Sequence, residues 1–232
     1  MMDYTLYYWP IPFRGQFVRA VLAHAGASWR EASVDELVAL EGEAPENQPV
    51  PHMGPPVLVD HAADLALSQT QAILTYLGRK YGLFPPDPRR EALTAKIIAD
   101  ANDVLYEMTL HNGAQMWTPE RWKGYRPRLT RWMEIFEALG RRHGLTVEAG
   151  QMLGSEAPGI ADLVAYALWG VMTAKLPALR SLLDTTAPGI ASLSDRIGRL
   201  PEQAVLREGS DRDYGTAWCG GEIEASLRAV LP

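Results

Sequence analysis

The chain has 232 residues, of which 47% are hydrophobic and 22% are charged, and its formal net charge is −6. A chain of this size can bury a core without cross-links, and its composition is that of an ordinary globular protein. The acidic balance, with no block of Lys and Arg, argues against nucleic-acid binding, because phosphate contacts need a basic face.

Other absences narrow the class of protein further. The single cysteine, Cys219, excludes an intrachain disulfide and a cysteine-based zinc site. The histidines show no spacing typical of metal ligands, so we expect no metal. The N-terminus lacks the pattern of a secretion signal, and the longest apolar stretch, 163–172, is too short to span a bilayer. We therefore expect a cytoplasmic protein without membrane contact.

The first part of the chain alternates strand and helix patterns. Residues 4–9 are rich in aromatic and β-prone side chains, which predicts a strand. Apolar residues at helical spacing predict a helix over 16–25, and the alternation over 28–34 predicts a second strand. A crossover through the helix makes these two strands parallel neighbours.

A polar, proline-rich segment, 35–54, comes next and predicts a loop with one short helix. Residues 55–60 and 65–68 predict a hairpin. Ser68 and Gln71 fit an S-x-x-Q capping box, which predicts that a helix begins there, and Gly82 ends it. The order β-α-β, loop, β-β-α is that of a thioredoxin-like domain.

After residue 83 we find only helical patterns. Three prolines within 84–88 cannot continue a helix, so we predict a linker there. The predicted helices span 89–115, 127–143, 159–174, 178–183, 190–199 and 201–207, and the tail after 208 has no clear pattern. The expected architecture is a thioredoxin-like domain over 1–83 and an all-helical bundle over 89–232.

The junction between the first strand and its helix is the reactive corner of a thioredoxin-like domain. This chain has Tyr7, Tyr8 and Arg14 there and no cysteine, which excludes thiol–disulfide exchange by the protein itself. The peptide bond between Pro55 and Pro56 can adopt the cis form at a low free-energy difference. The helix that follows Ser68 offers unpaired N–H groups to a carboxylate. The sequence therefore predicts a site for a small anionic, peptide-like ligand beside a phenol.

Three segments together resemble the tyrosine-type glutathione transferases, in particular the pi-, mu- and sigma-like classes and bacterial relatives. They are YTLYYWPIPFRGQFVRAVLAHAGASW (4–29), PPVLVDHAADLALSQTQAILTYLGRKYGL (55–83) and GIADLVAYAL (159–168). The resemblance covers almost the whole chain to about residue 207. It implies a homodimer with glutathione as co-substrate, which conjugates the glutathione thiolate to small hydrophobic electrophiles in detoxification.

The resemblance also implies roles for individual residues. Tyr8, directly before Trp9-Pro10, would donate a hydrogen bond to the thiolate of glutathione, and Arg14 would supply positive charge nearby. The other implied glutathione contacts are Pro55, Pro56 (the cis-proline of the family), Gln69, Thr70 and, across the dimer, Glu107. The candidates for the electrophile site are Ile11, His111, Met116 and Trp117. Asp162 is expected to cap the buried helix.

The chain departs from the family pattern at two places. Pro55 has no N–H, so one hydrogen bond to the cysteinyl backbone of glutathione is lost. The loop 35–54 lacks the tryptophan and lysine that bind the glycyl carboxylate in pi-like enzymes, and Asn47, Gln48 and His52 are the only candidates.

Several alternatives stay open at this point. In the structural interpretation, Tyr8 is a core residue and Arg14 is a solvated residue at the start of a helix. The functional alternatives are a non-catalytic binding module and a glutathione-dependent peroxidase, isomerase or dehalogenase on the same scaffold.

Overall fold

The computed structural model describes residues 2–231, and its first part is a sheet with three helices. The strand order is β2-β1-β3-β4; β1 is parallel to β2, and β3 is antiparallel to β1 and β4. This is the predicted thioredoxin-like arrangement. The elements are β1 (Tyr4–Tyr7), α1 (Arg14–His24), β2 (Trp29–Glu31), α2 (Val34–Gly42), β3 (Val57–Asp60), β4 (Leu65–Ser68) and α3 (Thr70–Lys80).

In the rest of the described chain, all regular secondary structure is helical. They are α4 (Pro88–Met108), α5 (Leu110–Gly113), α6 (Pro119–Arg142), α7 (Ile160–Ala165), α8 (Val171–Lys175), α9 (Arg180–Thr186), α10 (Pro188–Gly198), α11 (Pro201–Tyr214) and α12 (Gly221–Val230). A π-helical segment, Tyr166–Gly170, joins α7 to α8, which together match the buried helix predicted over 159–174. Within residues 2–231, no helix combines the length and apolarity needed to cross a bilayer.

The start of α6 was predicted wrongly. The helix begins at Pro119, because the Thr118 side chain accepts a hydrogen bond from the N–H of Arg121 at 3.3 Å and a proline suits the first helical position. Pro127, predicted to open the helix, lies inside it on an exposed face. The predicted linker 84–88 likewise ends too late, since Pro88 is already the first residue of α4.

The end of α4 and the C-terminal tail also differ from the prediction. The helix ends at Met108 and not near residue 115, because the backbone φ angles of Leu110, His111 and Asn112 are positive. The tail is not irregular: α11 extends to Tyr214, and α12 follows a turn that Glu224 holds, since its carboxylate accepts the N–H groups of residues 218–220. This turn forms only when the tail folds and brings Glu224 to these N–H groups.

The side chain of Arg19 fixes the bend between β1 and α1. This arginine is almost completely buried, and its guanidinium binds both oxygens of Glu31 on β2 at 2.9 Å. It also donates to the backbone carbonyls of Ile11 at 2.9 Å and Trp9 at 3.3 Å. The Pro-Ile-Pro stretch is therefore fixed by hydrogen bonds to a paired charge as well as by its proline rings.

Asp162 has the predicted capping role at the start of α7. Its carboxylate accepts the N–H of Gly159 at 2.9 Å and that of Met152 at 2.7 Å, and its side chain is buried. The loop before the helix is thereby attached to the first turn.

We expect Asp162→Ala to lower the free energy of unfolding by about 3 kcal/mol, because two buried N–H groups lose a charged acceptor. Urea denaturation followed by circular dichroism measures this change. Asp103→Ala, at an exposed position of α4, is the control and should change stability by less than about 0.5 kcal/mol. Equal effects of the two substitutions would contradict the capping role.

Candidate active site

A cavity of about 540 Å³ lies where the end of β1, the starts of α1 and α3, and the helix α4 meet. The last turn before α12 and α12 itself complete its wall. Seven of the predicted site residues line it: Tyr8, Ile11, Arg14, Pro55, Pro56, Gln69 and Thr70.

Tyr8 directly follows β1, and its phenol oxygen accepts the backbone N–H of Arg14 at 2.9 Å. The ring lies against Gly15, where a Cβ atom would come within 2.3 Å of the ring, so only glycine fits there. Among residues 2–231 no acceptor takes the hydrogen of the phenol itself. The phenol of Tyr8 is therefore fixed in place on the cavity wall, and its O–H is available to donate a hydrogen bond.

The ionisation state of Tyr8 follows from its burial. Burial raises the pKa of the phenol to about 12, although the positive charge of Arg14 and its N–H act in the opposite direction. The hydroxyl consequently stays protonated at neutral pH. It can donate a hydrogen bond to an anion, but it cannot act as a general base there.

Arg14 is a half-buried cation whose partners in the structure are neutral. Its Nε donates to Oδ1 of Asn102 and its Nη2 to Oδ1 of Asn112, both at 3.0 Å. No carboxylate of the described chain forms an ion pair with it, and no Asp or Glu lines the cavity. Burial lowers the pKa of the guanidinium, which is the expected result of desolvation without a counter-charge. Such a site favours an anionic ligand.

The start of α3 is free of side-chain caps. Ser68 is the last residue of β4, and Gln69 takes the N-cap position with a φ of 69°, so the capping box predicted at Ser68 does not form. No side chain within residues 2–231 caps the first N–H groups of α3, which lie beside Gln69 and Thr70 on the cavity wall. Together with the positive end of the helix dipole, they suit a carboxylate.

The peptide bond between Pro55 and Pro56 is cis, as the resemblance implies. Both residues line the cavity, and Pro55 brings a carbonyl group and no N–H. Of the loop before them, Met53 and Gly54 reach the cavity, whereas Asn47, Gln48 and His52 do not. Gln48 is used within the loop, where its amide oxygen accepts the N–H of His52 at 2.9 Å.

Four predicted site residues lie outside this cavity. Trp117 is buried against Trp122, with ring centroids 5.5 Å apart, and its indole N–H donates to the carbonyl of Met108 at 3.0 Å. Met116 lies beside it, and its sulfur accepts the hydroxyl of Ser226 at 3.7 Å. These two side chains are packing residues and not part of the cavity.

His111 and Glu107 are the other two. The ring of His111 contacts Tyr106 at 4.7 Å between centroids, so it supports the cavity wall from outside. The carboxylate of Glu107 binds Nε of Arg128 at 2.8 Å and the indole N–H of Trp132 at 2.9 Å, and it faces away from this cavity.

The sequence prediction missed the wall that the helical part contributes. Asn102, Tyr106 and Thr109 are four and three residues apart, so they form one stripe along α4 and its C-cap residue, Thr109, a spacing visible in the sequence. Cys219 and Ile223 reach the cavity from the tail, and no sequence signal indicated this. Burial raises the pKa of the Cys219 thiol to about 12, so this thiol stays protonated at neutral pH.

The chain is similar in sequence to known proteins of one family. The family model for the C-terminal domain of glutathione S-transferases matches residues 93–230. Glutathione S-transferase P of Bos taurus is 33% identical over 106 residues, which cover 45% of this chain and 48% of the relative, so the chain spans about half the length of that relative. Glutathione S-transferase A1 of Bos taurus is 26% identical over 213 residues and 90% of both chains.

A solved structure gives the same fold over a longer stretch. The pi-class glutathione S-transferase of Onchocerca volvulus superimposes with a TM-score of 0.73 at 19% identity, covering 95% of this chain and 98% of that one. The family model matches more than half of the chain, and its region contains the stripe on α4 and the α12 wall of the cavity. The chain thus belongs to the glutathione S-transferase family.

Proposed function

We propose that the protein is a tyrosine-type glutathione transferase that conjugates glutathione to small hydrophobic electrophiles. The observation that carries the proposal is that the buried phenol of Tyr8, whose O–H is unused, lines the same cavity as Arg14, a cation without a counter-charge. An anionic tripeptide with a thiol needs both groups.

The chemical step depends on keeping the thiol of glutathione ionised. A free thiol has a pKa of about 8.5, so only a few per cent is thiolate at neutral pH. A hydrogen bond from the Tyr8 hydroxyl to the sulfur favours the anion, and lowering the thiol pKa by about two units corresponds to about 2.7 kcal/mol. The thiol proton leaves to solvent, and Tyr8 keeps its own.

The thiolate then attacks the electrophilic carbon. A carbon–sulfur bond forms, and the electron pair moves to the leaving group or to the acceptor end of a conjugated double bond. The N–H of Arg14 also supports this step, because it donates to the phenol oxygen and thereby strengthens the O–H as a donor.

Binding of glutathione in this proposal uses the polar rim of the cavity. The start of α3, with Gln69 and Thr70, takes the γ-glutamyl end, and the charge of Arg14 attracts the carboxylates. The carbonyl of Pro55 accepts the cysteinyl N–H, but Pro55 has no N–H to donate to glutathione. Ile11 contributes to the apolar side, which we assign to the electrophile.

A homodimer is part of this proposal, since the family pairs its subunits about a two-fold axis. Glu107 then acts on the partner's glutathione only if its carboxylate exchanges Arg128 and Trp132 for the new contact.

The missing donor at Pro55 favours a second candidate, a ligand-binding protein of the same family without turnover. Retention on immobilised glutathione distinguishes the two candidates when it is combined with an assay of conjugation to a generic aromatic electrophile. Retention with turnover supports the transferase, and retention without turnover supports the binding protein.

Tyr8→Phe should reduce kcat/KM for conjugation by about a hundredfold at neutral pH, because the thiolate loses the hydrogen bond from the Tyr8 hydroxyl. The apparent kinetic pKa should rise toward that of free glutathione. Tyr7→Phe, the adjacent tyrosine on β1, is the matched control and should keep the wild-type rate. Full activity of Tyr8→Phe with an intact fold would refute the catalytic assignment.

The rate of conjugation should rise with pH once, with the ionisation of the bound thiol, and then stay level to about pH 10. The phenol of Tyr8 has a pKa of about 12 and remains a donor throughout this range. Steady-state kinetics in overlapping buffers gives the profile, with the uncatalysed reaction subtracted. A fall in kcat/KM between neutrality and pH 9 speaks against the buried, protonated phenol.

Arg14→Gln should weaken glutathione binding by about tenfold, because a partly desolvated charge is lost from the cavity. Calorimetric titration measures the affinity directly. Arg89→Gln, which removes an exposed charge at the start of α4, is the control and should bind normally. If both variants bind glutathione equally, Arg14 is only a structural residue.

A further inference from the structure

A second cavity, of about 460 Å³, is bounded by α1, the π-helical segment Tyr166–Gly170, α8, α10 and α11. Among the described residues it shares no lining side chain with the candidate active site. Its volume falls in the range of small-molecule sites, about 300–1,000 Å³, and is many times the roughly 30 Å³ that one water occupies. A π-helical wall is itself frequent at functional sites.

Around this cavity, three buried side chains have an oxygen without a hydrogen-bond partner in the part of the chain that the structure describes. Within residues 2–231, nothing pairs with Oε1 of Gln16, Oγ of Ser194 or Oγ of Ser210. Their exposed fractions are 2%, 2% and 6%. Buried polar groups are normally satisfied, so three of them around one cavity indicate a polar occupant.

The charges around the cavity do not balance. Lys175 pairs with Asp211 at 2.7 Å, and Arg180 pairs with both Asp184 and Asp195 at 2.8 Å. Arg199 and Arg207 line the rim of the cavity at exposed positions, and neither forms an ion pair with any carboxylate that the structure describes. Within residues 2–231, Arg207 donates only to the carbonyl of Gly198, at 3.1 Å. The surplus is positive, which favours an anion.

The remaining lining is apolar and includes Val171, Ala174 and Pro177. We propose that this cavity is a second ligand site, which binds a small organic acid with a carboxylate or phosphate group, an apolar body and a hydrogen-bonding group. The acid group meets Arg199 and Arg207, and the hydrogen-bonding group satisfies the buried Gln16 and serines.

The site is tested with two matched probes, para-hydroxybenzoate and hydroquinone monophosphate, titrated calorimetrically into the full chain. Binding of either probe is expected, and the tighter one identifies the acid group. The double variant Arg199→Gln/Arg207→Gln should bind at least about tenfold more weakly. The double variant Arg141→Gln/Arg142→Gln removes the same charge from equally exposed positions that do not line the cavity, and it should bind normally.

Two further variants separate this cavity from the candidate active site. Ala174→Trp places a large ring at an exposed position of the wall and should abolish binding with an unchanged melting temperature. Arg14→Gln should leave probe binding intact. The proposal is overturned if neither probe gives heat, or if binding is lost in Arg14→Gln and kept in Arg199→Gln/Arg207→Gln.

Discussion

The close contact between Tyr8 and the first turn of α1 is the constraint on which the site depends. The phenol oxygen is held by the N–H of Arg14, and the ring occupies the space that a side chain at Gly15 would fill. Arg19, paired with Glu31, fixes the bend that carries Tyr8 into this position. The phenol is therefore oriented before any ligand arrives, and the same burial that orients it keeps it protonated.

The treatment of charge distinguishes this cavity from the rest of the described chain. Elsewhere the protein pairs its buried cations with carboxylates, as Arg19 with Glu31 and Lys175 with Asp211. Arg14 differs, because it is held by two asparagine amides that satisfy its hydrogen bonds without neutralising its charge. A cation held in place by neutral groups retains its attraction for a ligand, at the cost of partial desolvation.

Sequence patterns predicted best those features that neighbouring residues determine. The β-α-β and β-β-α order follows from periodicity and residue type, and the buried helix through Trp169 follows from its apolar composition. The capping box at Ser68 failed because β4 pairing extends to Ser68 itself, and a positive φ at Gln69 then begins the helix one residue later. The start of α6 was missed although the pattern of Thr118 and Pro119 was readable.

By itself, the sequence determined the fold class, the corner where the candidate site lies, and most of the residues that the sheet part contributes to that cavity. Those residues lie close to strand and helix ends, so local order places them. Only the tertiary structure decided that Asn102 and Asn112 hold Arg14, that Cys219 closes the cavity, and that Trp117 belongs to the core. The two contacts of Arg14 join residues 88 and 98 positions apart, and the backbone N–H of Trp117 binds Ser226, 109 positions away, on the tail that also carries Cys219. No local pattern encodes such distances.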